Sequence, residues 1–218
     1  MDVERYTATL SPRQRRIFLA LDQYADAATG VLALVSVALQ WLIGTPGAVV
    51  LAAVALVLPA ELLSYGLNRL CKWLLPKPRR NRRYHDLISP WLRGSFPSFH
   101  TQFAATFGAT FSMAVALLAP AAAQGLAGGV AALSMGLSVT VVAWSRLYLA
   151  VHDRVDVYGG LALGAALGAG VAAGAVATGW VPAGWVAWAC VVGLVALVLA
   201  VSVWERRKRR PAGPASVR

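Results

Sequence analysis

The sequence predicts an all-α membrane protein, built as a bundle of about six transmembrane helices. Its 218 residues are 58% hydrophobic and only 13% charged, whereas a soluble domain carries about 25% charged residues. Apolar segments also recur whose lengths approach the roughly 20 residues that a helix needs to cross the hydrocarbon core. These predicted spans are 27–43, 48–70, 99–119, 126–147, 157–178 and 184–204.

The spans divide the chain into three predicted regions. Residues 1–26 form an N-terminal interfacial segment, in which Ser11 and Pro12 favour the start of a helix. Residues 27–204 form the six-span bundle, and residues 205–218 form a basic, disordered tail. Because no short apolar core with a small-residue cleavage site precedes the first span, we expect that span to be retained.

The connections between spans predict the orientation of the bundle. Residues 44–47, 120–125 and 179–183 are short and uncharged, so nearly every Lys and Arg falls on the opposite face. The positive-inside rule makes that face cytosolic, together with both termini, in a multi-pass protein of the cell membrane. The net charge of +11 then indicates anionic lipid head groups or an anionic substrate as partners, rather than nucleic acid.

A charged stretch, Ser145 to Asp156, lies between the fourth and fifth spans. On a helix, His152 and Asp156 would share a face, so the carboxylate could orient the imidazole and leave its other nitrogen free to attack. Arg146 offers planar donors to phosphate oxygens, and Ser145 could support one of these groups. Taken alone, a solvated pair at a helix end would give the same pattern.

Two further segments supply polar groups on the same predicted face. The stretch "FPSFHTQ" opens the third span, where a helix N-terminus, the Ser98 hydroxyl and the His100 imidazole could bind phosphate and protonate a leaving oxygen. After the second span, Lys72 and Arg79 could converge on one anion across the prolines between them. A capped helix and a lipid-bound basic loop are the structural alternatives.

Together these groups favour phosphoryl transfer through a histidine without a metal or other cofactor. The ordered motifs, Lys-x6-Arg, Pro-Ser-x-His and Ser-Arg-x5-His-x3-Asp, lie between Lys72 and Asp156. They resemble the motifs of the type 2 phosphatidic acid phosphatase superfamily, in its integral-membrane lipid phosphatase branch. The resemblance implies a bundle with an interfacial active site.

The resemblance also implies a role for each matching residue. His152 would be the nucleophile and form a phosphohistidine, Asp156 would orient it, and His100 would be the general acid and base. Ser145 would have a supporting role. Phosphate oxygens would be bound by Lys72, Arg79, Ser98 and Arg146.

This chain departs from the family pattern at two positions. Arg80 follows Arg79 where the family usually has proline, so Lys77, Arg80 or Arg82 could contribute instead. Phe99 stands where the family commonly has glycine, which is tolerable if the position is helical.

The resemblance leaves several activities open. The first is hydrolysis of a lipid phosphate monoester, such as phosphatidic acid, phosphatidylglycerophosphate or a polyprenyl-linked phosphate. Alternatives are a polyprenyl diphosphate phosphatase, or a lipid transporter or scramblase on the same fold. In the fifth span Gly160, Gly164 and Gly168 recur every four residues, which permits close helix contact, either within the bundle or in a homo-oligomer.

Overall fold

The computed structural model describes Ser11, Arg13 and residues 30–78, 94–148 and 152–208, without the side chains of 197–198 and 201–208. Within these ranges all the regular secondary structure is α-helix, which confirms the predicted fold class. Most of the predicted interfacial segment, residues 209–218 of the predicted tail, and Arg79, Arg80 and Arg82 lie outside the described residues. Residues 205–208, which the sequence assigned to the disordered tail, are instead the last turn of a helix. The six helices are α1 (Gly30–Leu42), α2 (Gly47–Leu74), α3 (Phe99–Leu118), α4 (Gln124–Tyr148), α5 (Arg154–Ala177) and α6 (Gly184–Lys208).

The helices follow the predicted spans closely. Four of them, α2 to α5, are long and apolar enough to cross a membrane, while α1 and the first part of α6, Gly184–Ala196, are shorter apolar helices. The protein is therefore membrane-embedded. Helices α2 and α5 continue beyond the predicted spans towards the charged connections, because Lys72 and Asp156 are themselves helical.

Helix α3 lies at the centre of the bundle, where it packs against α2, α4 and α5. Phe111 and Val115 of α3 are almost fully buried, and so are Leu56 and Val57 of α2. The first turn of α3 is therefore held by its neighbours on several sides, which matters because Ser98 and His100 lie there.

Glycines on one face of α5 allow the backbone of that helix to approach the backbone of α3 directly, with no side chain between them. Gly160, Gly164 and Gly168 are buried, and a Cβ atom at Gly164 would lie 2.3 Å from the carbonyl oxygen of Gln102. The glycine face is thus filled by α3 of the same chain. Homo-oligomerisation stays a prediction, but it would need another surface.

We expect Gly164→Ala to destabilise the bundle, because the new methyl group would meet backbone atoms that cannot rotate away. Overpacking of this kind costs about 1–3 kcal/mol. Gly170→Ala is the matched control, since Gly170 is exposed on the same helix and a Cβ atom there would meet nothing within 4 Å. Unfolding of the purified variants in detergent, followed by circular dichroism, measures the difference. Equal stability of the two variants would contradict the close packing of α3 on α5.

Buried polar side chains join α2 to α3 below the predicted site. The Asn68 amide donates to Gln102 Oε1 at 2.9 Å, and the Gln102 amide donates to the carbonyl and hydroxyl oxygens of Ser64 at 2.9 and 3.0 Å. Asn68 also donates to the carbonyl of Pro97 at 3.3 Å. Buried amides in an apolar bundle are costly unless paired, so this network fixes the register in which α2 supports the start of α3.

Candidate active site

The three polar segments predicted from the sequence meet at one end of the bundle. The Ser95 N–H donates to the carbonyl of Lys77 at 2.8 Å, and the Ser98 N–H donates to the carbonyl of Asp156 at 2.9 Å. The Lys77 ammonium closes the set by donating to Asp153. Each segment is therefore bonded directly to the other two.

His152 and Asp156 form the pair expected from their spacing, although not on one helix. His152 lies in a bend before α5, and Asp153 is the N-cap of that helix, so the expectation of a shared helical face is wrong. The Asp156 Oδ2 atom nevertheless lies 3.4 Å from His152 Nδ1. Both side chains are buried. Nδ1 is the ring nitrogen that faces the carboxylate, and Nε2 is the nitrogen that the predicted attack would use.

A capping box brings Asp156 back towards this bend. The Asp156 N–H donates to Asp153 Oδ1 at 3.0 Å, and the Asp153 N–H donates to Asp156 Oδ2 at 3.2 Å. Reciprocal bonds of this kind satisfy N–H groups that a helix start leaves unpaired. The same turn that begins α5 therefore fixes the carboxylate against the imidazole.

Two further side chains complete the surroundings of Asp156: Ser95, which the sequence did not single out, and Lys77, whose bonds to carboxylates it did not predict. The Ser95 hydroxyl donates to Asp156 Oδ2 in a short hydrogen bond and lies 3.4 Å from His152 Nδ1. The Lys77 ammonium donates to Asp156 Oδ1 at 2.8 Å and to Asp153 Oδ2 at 2.5 Å. Lys77, which the sequence offered as an alternative phosphate ligand, is thus bound to two carboxylates.

The charge of Lys77 and that of Asp153 stabilise each other. Burial lowers the pKa of Lys77, but the hydrogen bonds to Asp153 and Asp156 outweigh it and raise the pKa above its ordinary value. Burial raises the pKa of Asp153, but the bonds from Lys77 and from the Asp156 N–H outweigh it and lower the pKa. Both groups are consequently charged at neutral pH.

For the phosphatase activity that the resemblance implies, we expect Lys77→Met to lower kcat by about tenfold, since small displacements of a catalytic group are enough for such losses, while KM changes less. Lys77→Arg, which keeps the charge, should restore part of kcat.

The ion pair of Lys77 with Asp153 should also stabilise the fold in a pH-dependent way. Relative to Lys77→Met, the wild type should lose part of its advantage as pH falls below 3.8, where Asp153 gains a proton, and all of it as pH rises beyond 10.5, where Lys77 loses one.

Kinetics and unfolding measured across this pH range test both expectations. A kcat unchanged in Lys77→Met, or a stability difference that does not depend on pH, would contradict the role given to Lys77.

The predicted phosphate-binding cations are buried at the helix ends nearest this cluster. Lys72 is in the last turn of α2 and Arg146 in the last turn of α4, and both are almost fully buried. The stem of Lys72 packs on Gly94, where a Cβ atom would lie 3.0 Å from Lys72 Cβ and Cγ. Gly94 therefore brings the segment before α3 close to Lys72. Arg79 lies outside the described residues.

The second motif surrounds the start of α3. Ser98 is the N-cap but makes no side-chain capping bond, and its hydroxyl lies 3.0 Å from that of Thr101. Phe99 is the first helical residue, as its tolerance at a glycine position requires. His100 is half-buried and contacts the Phe99 ring edge-on, with ring centroids 5.8 Å apart.

Ser145 is buried, and its hydroxyl is hydrogen-bonded within its own helix. It donates to the carbonyl of Val142 at 2.7 Å, one turn earlier in α4. Its position next to Arg146 fits the supporting role implied by the resemblance.

Comparison with protein families matches this chain to the PAP2 superfamily over residues 31–180. The chain belongs to the PAP2 superfamily. The match covers α1 to α5 and so includes all three polar segments. Comparisons with curated proteins and with solved structures give no match. Membership of the PAP2 superfamily supports phosphatase activity on phosphate esters.

Proposed function

We propose that this membrane-embedded PAP2 protein hydrolyses a lipid phosphate monoester through a phosphohistidine intermediate. The observation that carries the proposal is the contact of Asp156 Oδ2 with His152 Nδ1 at 3.4 Å. A carboxylate in that position holds the imidazole in the tautomer whose Nε2 lone pair can attack. Lys72 and Arg146, the predicted phosphate ligands, are buried in the last turns of α2 and α4.

In the first step, His152 Nε2 attacks phosphorus and the bond from phosphorus to the lipid oxygen breaks. His100 donates a proton to that oxygen, so the lipid leaves as a neutral alcohol. Lys72, Arg146 and Arg79 bind the phosphate oxygens, and Ser98 assists them. Positive donors aimed at these oxygens stabilise the charge that gathers there in the transition state.

In the second step, water attacks the phosphohistidine and the bond from phosphorus to Nε2 breaks. His100, now neutral, takes the proton from the water and returns to its starting state. Inorganic phosphate leaves, and His152 is regenerated. Charge neutralisation by side chains makes the proposed reaction independent of metal ions.

The proposed site serves the cytosolic leaflet of the cell membrane, with the lipid tail among the helices. The bonded segments lie at the end of the bundle that carries the charged connections, as the positive-inside rule requires of a cytosolic face. The opposite end has the short apolar connections near Ala48, Leu118 and Pro182.

A panel of lipid phosphates tests the proposal. Purified protein in detergent is assayed for phosphate release from phosphatidic acid, phosphatidylglycerophosphate and a polyprenyl phosphate, with chelator present. We expect turnover of at least one of them, inhibited by vanadate. Release from a polyprenyl diphosphate alone would support the diphosphatase alternative. Lipid flipping in vesicles without any release would support the transporter alternative and overturn the proposal.

A further inference from the structure

Arg69 is a charged side chain in α2 that the proposed reaction does not use. It lies one helical turn before Lys72, towards the middle of a helix long and apolar enough to span the membrane. Charged groups in such positions are costly and usually face a binding site or a polar cavity. Arg69 is therefore a candidate for a role in binding the substrate.

The Arg69 side chain does not extend towards the aqueous end of its helix. Its Cζ atom lies 4.7 Å from the centre of the Tyr65 ring, which is one turn nearer the middle of α2, and 5.8 Å from the centre of the Phe99 ring. A side chain that snorkels would point the other way. The two rings thus hold the guanidinium on the membrane side of Lys72.

The ring contacts leave hydrogen-bond donors of the guanidinium unused. Its Nε and Nη1 atoms are buried and have no hydrogen-bond partner among the residues that the structure describes. Aromatic faces attract the charge of a guanidinium, but they do not replace acceptors in its plane. An anion is the ligand that such a planar set of donors fits best.

Arg69 lies close to two residues of the proposed site, Lys72 and His100. Arg69 and Lys72 are three residues apart on α2, so they lie on neighbouring positions of one helix surface, about 4.5 Å apart along the axis. Phe99 contacts both Arg69 and His100, the proposed donor to the leaving oxygen. Tyr65 is half-exposed on the surface of α2, so the side chain that covers the guanidinium is at the edge of the bundle and a bound phosphate would have to displace it.

We infer that Arg69 binds a second phosphate group, on the lipid side of the phosphate that is hydrolysed. The inference rests on the proposed function. Among phosphate monoesters it favours a lipid that also carries a second phosphate, and the same subsite would serve the diphosphatase alternative. Two sources share this chemistry: a polyprenyl diphosphate, and a phosphate monoester joined through a short linker to a phosphodiester, as in phosphatidylglycerophosphate. Phosphatidic acid has no second phosphate for Arg69 to bind.

Substrate selectivity of the variant Arg69→Gln tests the inference. Loss of a charge-assisted contact should lower kcat/KM for a two-phosphate lipid by about tenfold or more, with a much smaller loss for phosphatidic acid. Arg69→Lys, which keeps the charge, should lie between the wild type and Arg69→Gln. Assays with polyprenyl diphosphate and with phosphatidylglycerophosphate, run separately, distinguish the two sources.

The outcomes separate this inference from the proposed function. Equal losses on all three lipids, or no loss on any, would overturn the role of Arg69 while the phosphatase activity itself stands. Absence of phosphate release from every lipid by the wild type would overturn both. Circular dichroism of each variant shows whether the bundle is folded.

Discussion

Replacing His152 with alanine is expected to lower phosphate release by at least about a thousandfold, the scale seen when a nucleophile is removed. His152 is the side chain whose Nδ1 faces the buried carboxylate of Asp156, so no neighbouring imidazole in the described residues has the same activation. Release of phosphate from a lipid substrate by purified protein measures the loss.

Folding of the His152 variant must be shown independently, because the side chain is almost fully buried. Asp156 keeps its bonds to Ser95 and Lys77 without the imidazole, and we therefore expect helix content and thermal unfolding close to those of the wild type. His152→Gln, which retains a polar side chain, is the matched control and should be equally inactive. Turnover at the wild-type rate by a folded His152→Ala protein would exclude His152 as the nucleophile.

Replacing His100 with alanine should lower turnover of lipid substrates by about a hundredfold to ten-thousandfold, the usual range for loss of a general acid or base. The effect should depend on the leaving group. An aryl phosphate such as p-nitrophenyl phosphate needs no protonation of its leaving oxygen, so phosphoryl transfer to His152 should persist in this variant. The second step still lacks its base, and the phosphoenzyme should accumulate.

Rapid mixing of His100→Ala with p-nitrophenyl phosphate checks this expectation. We expect a burst of nitrophenol equal to the amount of enzyme, followed by slow turnover, whereas His152→Ala should give no burst. If His100→Ala lost the burst to the same extent as the steady-state rate, the separate roles given to the two histidines would be contradicted.

The helices could be predicted from the sequence because apolar length alone specifies a membrane span. The start of α3 at Phe99 coincides with the predicted span, and α6 begins at Gly184 as expected. The pairing of His152 with Asp156 also followed from local spacing, even though a capping box rather than a continuous helix produces it. Asp153 is a residue type that favours the N-cap, but the signature of a capping box has Glu or Gln three residues later, where this chain has Asp156.

The remainder of the site depends on segments that are distant in the chain. Ser95 and Lys77 reach Asp156 across 61 and 79 residues, and nothing in their own neighbourhood indicates that partner. The sequence around Gly94 does not indicate that this residue contacts Lys72. In the structure the two are so close that a Cβ atom at Gly94 would meet the side chain of Lys72. Such contacts follow from how helices pack, which periodicity does not encode.

The glycines of α5 and Arg69 also owe their partners to helix packing. Their spacing predicted a close helix contact, but only the backbone distance from Gly164 to Gln102 identifies α3 as the partner. Arg69 reads in the sequence as a cation near the end of a span. Its stacking on Phe99, at a position where the family commonly has glycine, becomes evident only once α2 and α3 are side by side.

Isolation of the phosphoenzyme tests the central claim most directly. Folded His100→Ala protein is mixed with p-nitrophenyl phosphate, quenched in alkali, digested and analysed by mass spectrometry for phosphorylated peptides. We expect one phosphate per chain on His152, in a bond stable to alkali and labile to acid. Phosphate on another residue, or a burst of nitrophenol with no phosphorylated peptide, would contradict it.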